Sequence, residues 1–502
     1  MRRSFVFLVV AWLAACAPTT TPTVSATARA TASAAAATAS AAPDVYNLTV
    51  DQVRAQSQIQ NFEVLGHAYF AGPQLTSGNR GAGFNTARVY KGIAYLAGYP
   101  PTLFGVIVAD VRDPANMKQL AFIPANGGTR TAYLRLNTAK NILVVGYDAN
   151  AANPNPATGG PAKGGWAFYD VKDPANPVKL GEFVVPQSAT HGFEIDDRYL
   201  YGCASTTETK KPAGTAQSLT VVDYSNPKNP TQVSVFHIQG QFEGETYAAD
   251  DQKNPAPAPG TTGYPDSTQQ IIQCHEVNKD GNRLWVAWRD AGVLLLDASD
   301  PKALKQLGRF DYVPAYNGGT LGASHTAAVV PHTATNASLV VANDEIFACP
   351  AGVDRVIDVT DPTHMTVLST IRIPDVDDKY DASTGKFVCP PGQQSSHQPY
   401  FPPYGNGSLF FQAWYGQGLR AFDISNPYEP QEVGRYVSPD YVRPPTLNTS
   451  PYADSALARH TREVFVDPDT NFLYLTDGNG GGLTVLRYTG RVPERGPIPG
   501  IR

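Results

Sequence analysis

The sequence has 502 residues, of which 42% are hydrophobic and 17% charged, and it contains 44 Gly, 42 Pro and 25 Tyr. This low share of charge and this abundance of turn-forming residues favour many short strands over long helices. Since the net charge is −5 and no basic run occurs, we expect no nucleic-acid-binding surface. No apolar stretch has the length of a membrane-spanning helix.

The first element in chain order is a predicted signal peptide over residues 1–16. Two arginines precede a short apolar run that ends in Leu13-Ala14-Ala15-Cys16, and this pattern resembles the signal of bacterial lipoproteins. The resemblance implies acylation of Cys16, export, and a lipid anchor at the bacterial cell envelope, on the surface or the periplasmic face. Residues 17–43 consist almost wholly of Ala, Thr, Ser and Pro, so we expect a disordered tether.

Residues 44–490 repeat one block about every 63 residues, which indicates a single repeat domain. Each block contains an apolar strand that ends in Asp, two further residues, and then Asp-Pro or Asn-Pro. The Asp carboxylate can accept backbone N–H groups of the turn, and the Pro fixes that turn. We therefore assign a structural role to the repeated aspartates, which are Asp110, Asp170, Asp223, Asp297, Asp358 and Asp423. A further copy of the block has Arg487 at this position.

Two further patterns accompany the blocks: a buried strand before each one and an alternating, half-exposed strand after each one. With one more strand ahead, each unit forms a four-stranded antiparallel sheet. The alternating strand also occurs before the first unit, at 63–66, and is missing after the last. We therefore predict an all-β fold, a seven-bladed β-propeller of four-stranded antiparallel blades, closed by an N-terminal strand near Phe62–Tyr69 that completes the last blade. Residues 491–502 then form a C-terminal tail.

The repeated blocks resemble those of LVIVD-repeat proteins, whose apolar strand ends in Asp and is followed by Ser-Asp-Pro. The resemblance covers roughly residues 61–488 and departs at Ser218 and Val353, where Gly is lost, and at Arg487. It implies a bacterial envelope β-propeller of poorly defined activity, so it informs the architecture more than the function. We expect a monomeric propeller.

Four cysteines follow Cys16, and in an exported protein an even number favours disulfides. Cys349 and Cys389 are each followed by Pro in loop-like sequence and form the preferred pair. Cys203 and Cys274 are then left as the second pair. Buried free thiols are the alternative.

Five of the nine histidines stand at the start of the first strand of successive units: His191, His275, His325, His397 and His460. Units 1 and 2 have Asn85 and Arg130 there. Because the innermost strands of a propeller line its channel, these imidazoles would converge on the axis. Convergent neutral imidazoles with few carboxylates suit Cu or Zn. In the alternative, structural interpretation, each His bonds to backbone carbonyls or channel water. Three other histidines fall in outer strands or turns, where we expect surface residues: His67, His237 and His364.

The loops between the second and third strands are expected to open on the same face as the five histidines. Glu345 is the best candidate carboxylate for a metal site, because it follows an apolar strand in the same unit as His325. A polar, aromatic-rimmed pocket at the channel mouth is predicted from Glu276, Trp288, Arg289, Asp290, Tyr415 and Asp477.

Two kinds of function fit these observations. The first is an envelope-anchored binding or interaction module for an unknown protein, glycan or small-molecule ligand. The alternative is a metal-binding protein or metal-dependent oxidoreductase with a His-lined channel, by fold-level analogy with the selenium-binding proteins. The sequence has no nucleophile elbow, phosphate loop or dinucleotide fingerprint, so catalytic residues stay unassigned.

Overall fold

The computed structural model describes residues 48–70, 82–99, 105–131, 133–149, 163–185, 190–210, 216–248, 272–311, 323–331, 338–346, 351–373, 379–383, 386–388, 395–439 and 459–494. The predicted signal peptide with Cys16, the tether, and the predicted Cys349–Cys389 pair lie outside the described residues. Within the described ranges, no helix is both long enough and apolar enough to cross a membrane.

Strands dominate the described residues, which confirms the all-β prediction. They form consecutive antiparallel meanders, which we number in chain order as sheets 1 to 7. Sheets 4 and 5 are joined by the pairing of Arg289 with Ser324 into one eight-stranded sheet. Sheet 1 contains Phe84–Tyr90, Ile93–Gly98, Gly105–Asp110 and Lys118–Pro124. Sheet 2 contains Thr129–Arg130 and Leu134–Asn137, which together form its first strand, and then Ile142–Ala149, Gly165–Asp170 and Val178–Val184. Sheet 3 contains Thr190–Ile195, Tyr199–Ala204, Ser218–Asp223 and Thr231–Phe236.

The later sheets have the same order of strands. Sheet 4 contains Ile272–Asp280, Arg283–Arg289, Val293–Asp297 and Lys305–Phe310. Sheet 5 contains Ser324–Val329, Leu339–Asp344, Asp354–Asp358 and Thr366–Ile371. Sheet 6 contains Gln398–Tyr400, Leu409–Trp414, Gly418–Asp423 and Gln431–Val437, and sheet 7 contains Thr461–Val466, Leu473–Asp477 and Leu483–Tyr488. Outside these sheets lie the helix Val50–Gln56, the 3-10 helix Pro114–Asn116, and the hairpin of Lys379–Asp381 with Lys386–Val388.

Two N-terminal strands are each added to one of the last two sheets. Phe62–Ala68 pairs antiparallel with Leu483–Tyr488 of sheet 7, and Gln58–Gln60 adds an unpredicted fifth strand to sheet 6. His67 on the first of these strands is not a surface residue as expected, since its Nε2 atom is buried and its Nδ1 atom lies 2.9 Å from Thr484 Oγ1.

Apolar clusters lie between consecutive sheets, because the middle strands of each sheet are buried on both faces. One cluster joins Tyr201 and Leu219 of sheet 3 to Val286 of sheet 4. Another joins Leu96 and Ile107 of sheet 1 to Val485 of sheet 7. The first strand of each sheet also contacts the first strand of the next sheet in chain order. The first strand of sheet 7 contacts the first strand of sheet 1.

Each repeated Asp organises the turn after its strand. Its Oδ1 atom accepts the N–H of the residue two positions later, at 2.8–3.1 Å, in all six copies. The Pro of that turn faces the fourth strand of another sheet. A Cβ at Gly308 of sheet 4 would lie only 1.8 Å from the Pro362 carbonyl oxygen of the sheet 5 turn. Gly66 and Gly181 meet the carbonyl oxygens of Pro114 and Pro227 in the same way, so these glycines are required by close contact between sheets.

The structure confirms the predicted disulfide between Cys203 and Cys274. It joins the second strand of sheet 3 to the first strand of sheet 4. Since Cys274 directly precedes His275, the disulfide fixes the strand that carries one of the candidate site residues.

Candidate functional site

Four of the five predicted histidines form a continuous row across sheets 3 to 6. The ring centroids are 4.2 Å apart for His191 and His275, 4.3 Å for His275 and His325, and 4.2 Å for His325 and His397. The row continues through Tyr415, whose ring centroid is 4.8 Å from that of His397. We call these five residues the histidine row.

Irregular strand pairing turns these side chains inward. The pairing shifts between Thr190 and Phe193, between Ile272 and Glu276, and between Ser324 and Thr326. A histidine falls within each of these three intervals. In a regular strand, successive side chains alternate between the two faces of the sheet. A β-bulge bends the strand and changes the direction of a side chain, and each of the three histidines lies at such an irregularity.

Backbone carbonyls fix the tautomers of two of the imidazoles. His275 Nδ1 lies 3.2 Å from the carbonyl oxygen of His325, and His397 Nδ1 bonds to the carbonyl oxygen of Arg462. A carbonyl oxygen only accepts, so Nδ1–H is the donor in both cases and Nε2 has the lone pair. His397 Nε2 is buried and has no hydrogen-bond partner among the described residues. A carbonyl-bound Nδ1–H with a free Nε2 lone pair is the usual arrangement of a metal-ligating histidine.

Glu345 lies against the histidine row. Glu345 Oε2 lies 3.9 Å from His325 Nε2, and Glu345 Oε1 lies 3.9 Å from His397 Nε2. One donor atom each from His275, His325 and Glu345 lie within 4.8 Å of one another. Arg289 Nη2 is 2.8 Å from Glu345 Oε2 and also bonds to His275 Nε2, so a guanidinium lies between these two groups.

The charge states favour neutral imidazoles beside an ionised carboxylate. Burial, reinforced by the positive charge of Arg289, holds the pKa of His275 and of His325 well below the usual 6.5. Burial and Arg462 do the same for the pKa of His397. Burial by itself would raise the pKa of Glu345, but the guanidinium charges of Arg289 and Arg462 contribute to lowering it to about 2.

The outer members of the predicted histidine set have other partners. His191 Nδ1 is 3.5 Å from Asp148 Oδ2, which also pairs with Arg130 at 2.7 Å. His460 does not reach the other four histidines, because the ring of Tyr415 stacks on it at 4.6 Å and separates it from His397.

The predicted channel-mouth residues have different partners. Arg289 and Tyr415 both bond to Glu345, whereas Asp477 accepts the N–H groups of His460 and Asn479 and so organises a turn. Glu276 pairs with Arg135 at 3.3 Å, and Asp290 is buried.

Trp288 is the clearest correction among these residues. It is fully buried between sheets 3 and 4 and contacts Phe236 edge to face, at 5.8 Å between ring centroids. Leu284, Val286 and Trp288 occupy every second position of their strand, so their side chains share the face that packs against sheet 3.

Sequence reasoning missed Tyr133 and Arg462. The Tyr133 ring packs edge to face on His191 at 5.0 Å. Arg462 Nη1 donates to the Tyr415 hydroxyl at 3.0 Å, and its Nε donates to Asn85 Oδ1 at 2.7 Å. The repeat alignment contained a signal for this contact, since Asn85 occupies the place of the missing histidine in unit 1.

A second polar region adjoins the histidine row. A cavity of about 330 Å³ is lined by residues from the first strand of every sheet: Arg88, Arg135, Glu194, Glu276, Thr326, Gln398 and Glu463. Arg88 pairs with Glu463 at 2.9 Å, and Arg135 pairs with Glu194 at 2.9 Å and with Glu276 at 3.3 Å. Burial raises the pKa of Glu276 to about 7, against the opposing charge of Arg135. We call this the axial cavity.

The LVIVD repeat profile matches residues 213–237 and 413–438, which confirms the resemblance for these two repeats. The matched segments contain the third and fourth strands of sheets 3 and 6. No curated protein matches the chain.

Several solved structures are similar over most of the chain. The WD40 repeats of RRP9 are 9% identical over 87% of this chain and 100% of that chain, with a TM-score of 0.49. A chain of the Mitotic Checkpoint Complex is 11% identical over 85% and 92%, with a TM-score of 0.48. The computationally designed Ika8 protein is 11% identical over 84% and 99%, with a TM-score of 0.43.

Proposed function

We propose that this protein is a binding module built as a closed seven-bladed β-propeller, and that it binds a transition-metal ion at its axis. Three observations support closure. Phe62–Ala68 pairs with the last strand of sheet 7, an apolar cluster joins sheets 7 and 1, and the first strands of these two sheets are in contact. A closed ring leaves only short, protected strand edges.

The proposed metal ligands are the Nε2 atoms of His275, His325 and His397 and the carboxylate of Glu345. The observation that carries the proposal is the fixed tautomer of His397, whose Nε2 lone pair has no hydrogen-bond partner among the described residues and lies 3.9 Å from Glu345 Oε1. Ligand atoms on a metal at about 2 Å lie within about 4 Å of one another. The ligand atoms of His275, His325 and Glu345 lie within 4.8 Å of one another, and His397 Nε2 lies 3.9 Å from Glu345 Oε1. Three imidazoles with one carboxylate favour Zn or Cu over Mg or Ca.

Arg289 competes with the proposed ion. Its guanidinium already contacts His275 Nε2 and Glu345 Oε2, which are two of the four ligand atoms. Metal binding therefore requires Arg289 to leave these atoms. Arg289 has a positive φ of 44°, a strained conformation for a residue with a side chain, and such strain often occurs at functional sites.

Metal analysis of protein purified without an affinity tag tests this proposal. We expect about one Zn or Cu ion per chain. The double variant His275→Ala/His397→Ala should lose the metal, and the control His364→Ala, at an exposed position, should retain it. Arg289→Ala should bind Zn²⁺ more tightly than the wild type, because a competing positive charge is removed.

Two results would overturn the metal proposal. One is wild-type protein that neither contains metal nor binds added Zn²⁺ or Cu²⁺. The other is unchanged metal content in a folded double variant, with folding checked by circular dichroism. Either result leaves the histidine row with the structural role considered above.

We also propose that the propeller is attached to the bacterial cell envelope through a lipid on Cys16. The support is the sequence pattern before Cys16. Full-length protein expressed in a bacterium should incorporate labelled palmitate and enter the detergent phase on Triton X-114 partitioning. Cys16→Ala should abolish both, and a wild-type protein that stays in the aqueous phase without label would contradict the proposal.

A further inference from the structure

The strand that carries His275 leaves its regular pairing at the histidine. The pairing with the second strand of sheet 4 stops at Ile272 and resumes at Glu276. In this interval, residues 273–275 face Trp288 alone, so three residues stand opposite one. A bulge disrupts the ladder of backbone hydrogen bonds, and its extra residues are left without a partner on the neighbouring strand. The position of His275 therefore depends on contacts from outside sheet 4.

Sheet 3 supplies these contacts. The disulfide joins Cys274 to Cys203, and the Cys274 N–H donates to the carbonyl oxygen of Gln217 at 2.8 Å. Gln241 is fully buried, and its Nε2 atom donates to the carbonyl oxygens of Gln217 and Ile272, at 2.8 and 3.0 Å. The bulge is thus held against sheet 3 by one covalent bond and by hydrogen bonds.

The disulfide also connects two neighbouring bulges. Cys203 stands opposite His191 and Gly192, which are the bulged residues of sheet 3, and Cys274 lies inside the bulge of sheet 4. The bond holds the two cysteine Cα atoms 5.2 Å apart. Two free thiols impose no such limit on the distance between their strands. The disulfide therefore fixes the separation of the two strands next to His275.

We propose that the Cys203–Cys274 disulfide and Gln241 position His275 as a metal ligand, so that the affinity for metal rises when the disulfide forms. This inference rests on the proposed metal site. The bond forms during folding: the two sulfur atoms join, and two protons and two electrons pass to an external disulfide, which is reduced to two thiols. Both cysteines are fully buried in the folded protein, so the finished bond is shielded from external thiols. The metal site is thus completed where the chain is oxidised, and it then stays complete.

The Zn²⁺ affinity of the oxidised wild type is compared with that of Cys203→Ala/Cys274→Ala, by competition with a chelator of known affinity. Loss of a group that orients a metal-ligating histidine typically costs about 10–100-fold in metal affinity, so the double variant should bind Zn²⁺ about tenfold more weakly or worse. Alanine is used because a free thiol binds zinc itself. The control Leu296→Ala removes a buried side chain between the same two sheets, outside the bulge, and should keep the wild-type affinity.

The same comparison in a His275→Ala background separates positioning from a general loss of structure. This background retains the other three proposed ligands, and loss of the disulfide should change its Zn²⁺ affinity by less than about threefold. If the double cysteine variant does not fold, as judged by circular dichroism, Gln241→Met takes its place. It removes the donor to the Ile272 carbonyl and should weaken Zn²⁺ binding only when His275 is present.

The outcomes distinguish this inference from the metal proposal. Wild-type Zn²⁺ affinity in a folded variant that lacks the disulfide or Gln241 would overturn the inference and leave the metal proposal standing. An equal loss of affinity with and without His275 would do the same. A wild type that binds no Zn²⁺ would instead overturn the metal proposal, and this inference with it.

Discussion

The glycine on the N-terminal strand offers a direct test of ring closure. A Cβ at Gly66 would lie 1.8 Å from the carbonyl oxygen of Pro114, in the turn of sheet 1. Gly308 has the same relation to Pro362 between sheets 4 and 5, with the same distance of 1.8 Å. Gly66→Ala and Gly308→Ala therefore place one methyl group in two equivalent interfaces, one at the proposed closure and one inside the ring.

The size of the effect follows from the overlap. Real Cβ atoms essentially never approach a neighbouring heavy atom closer than 3.0 Å, so each strand must move away from the facing backbone by more than about 1 Å. Added methyl groups in packed sites cost about 1–3 kcal/mol. Since the obstacle is backbone and not a flexible side chain, we expect about 3 kcal/mol at each site.

Urea denaturation of the two variants measures this cost. The control is Gly281→Ala, because a Cβ there meets nothing within 4 Å and only its φ of +56° disfavours a side chain. That conformation should cost about 1 kcal/mol. If Gly308→Ala is strongly destabilised while Gly66→Ala is as stable as the wild type, the N-terminal strand does not close the ring and the reasoning is wrong.

Three further predictions concern stability. Replacing Cys203 and Cys274 together by Ser should cost about 4 kcal/mol in urea, because the disulfide spans 71 residues, and a loss below 1 kcal/mol would contradict an entropic role. Burial lowers the pKa of His67 from 6.5 to about 4, so its neutral form is favoured in the folded state. Stability should be complete above pH 6.5 and fall by about 3 kcal/mol toward pH 4, and His67→Leu should reduce this loss when denaturation is followed against pH. Trp288→Ala should lower the free energy of unfolding by about 3–5 kcal/mol, and any bound metal should be retained. Loss of metal without destabilisation would show that Trp288 belongs to the predicted channel-mouth pocket and not to the core.

Much of the fold could be predicted because the repeated block depends on interactions between residues that are close in the sequence. The apolar run, the Asp and the Asp-Pro or Asn-Pro turn recur along the chain, and each Asp needs only a neighbouring N–H to act. The Cys203–Cys274 pair was also predicted, because predicted export favours disulfides and these two cysteines were left after Cys349 and Cys389 were paired. The fifth strand Gln58–Gln60 was not, because its three residues are exposed and have no apolar pattern.

The candidate site could be predicted only in part. The recurrence of His at strand starts pointed to a convergent set, and four of the five imidazoles lie side by side. Tyr415 lies between His397 and His460, and Arg289 lies against Glu345. Tyr415, Arg289 and Glu345 stand at or just after the ends of strands, where the sequence has no repeated pattern. Their positions follow from packing among several sheets.

The sequence by itself determined that this protein is an all-β repeat protein with histidines at equivalent strand starts, because period, turn chemistry and residue spacing are local properties. Only the tertiary structure decided which of these side chains meet and in what charge state. Bulges turned the imidazoles inward, backbone carbonyls selected their tautomers, and burial beside Arg289 and Arg462 kept them neutral while Glu345 stayed ionised. These effects depend on groups that are far apart in the chain, so no local pattern could specify them.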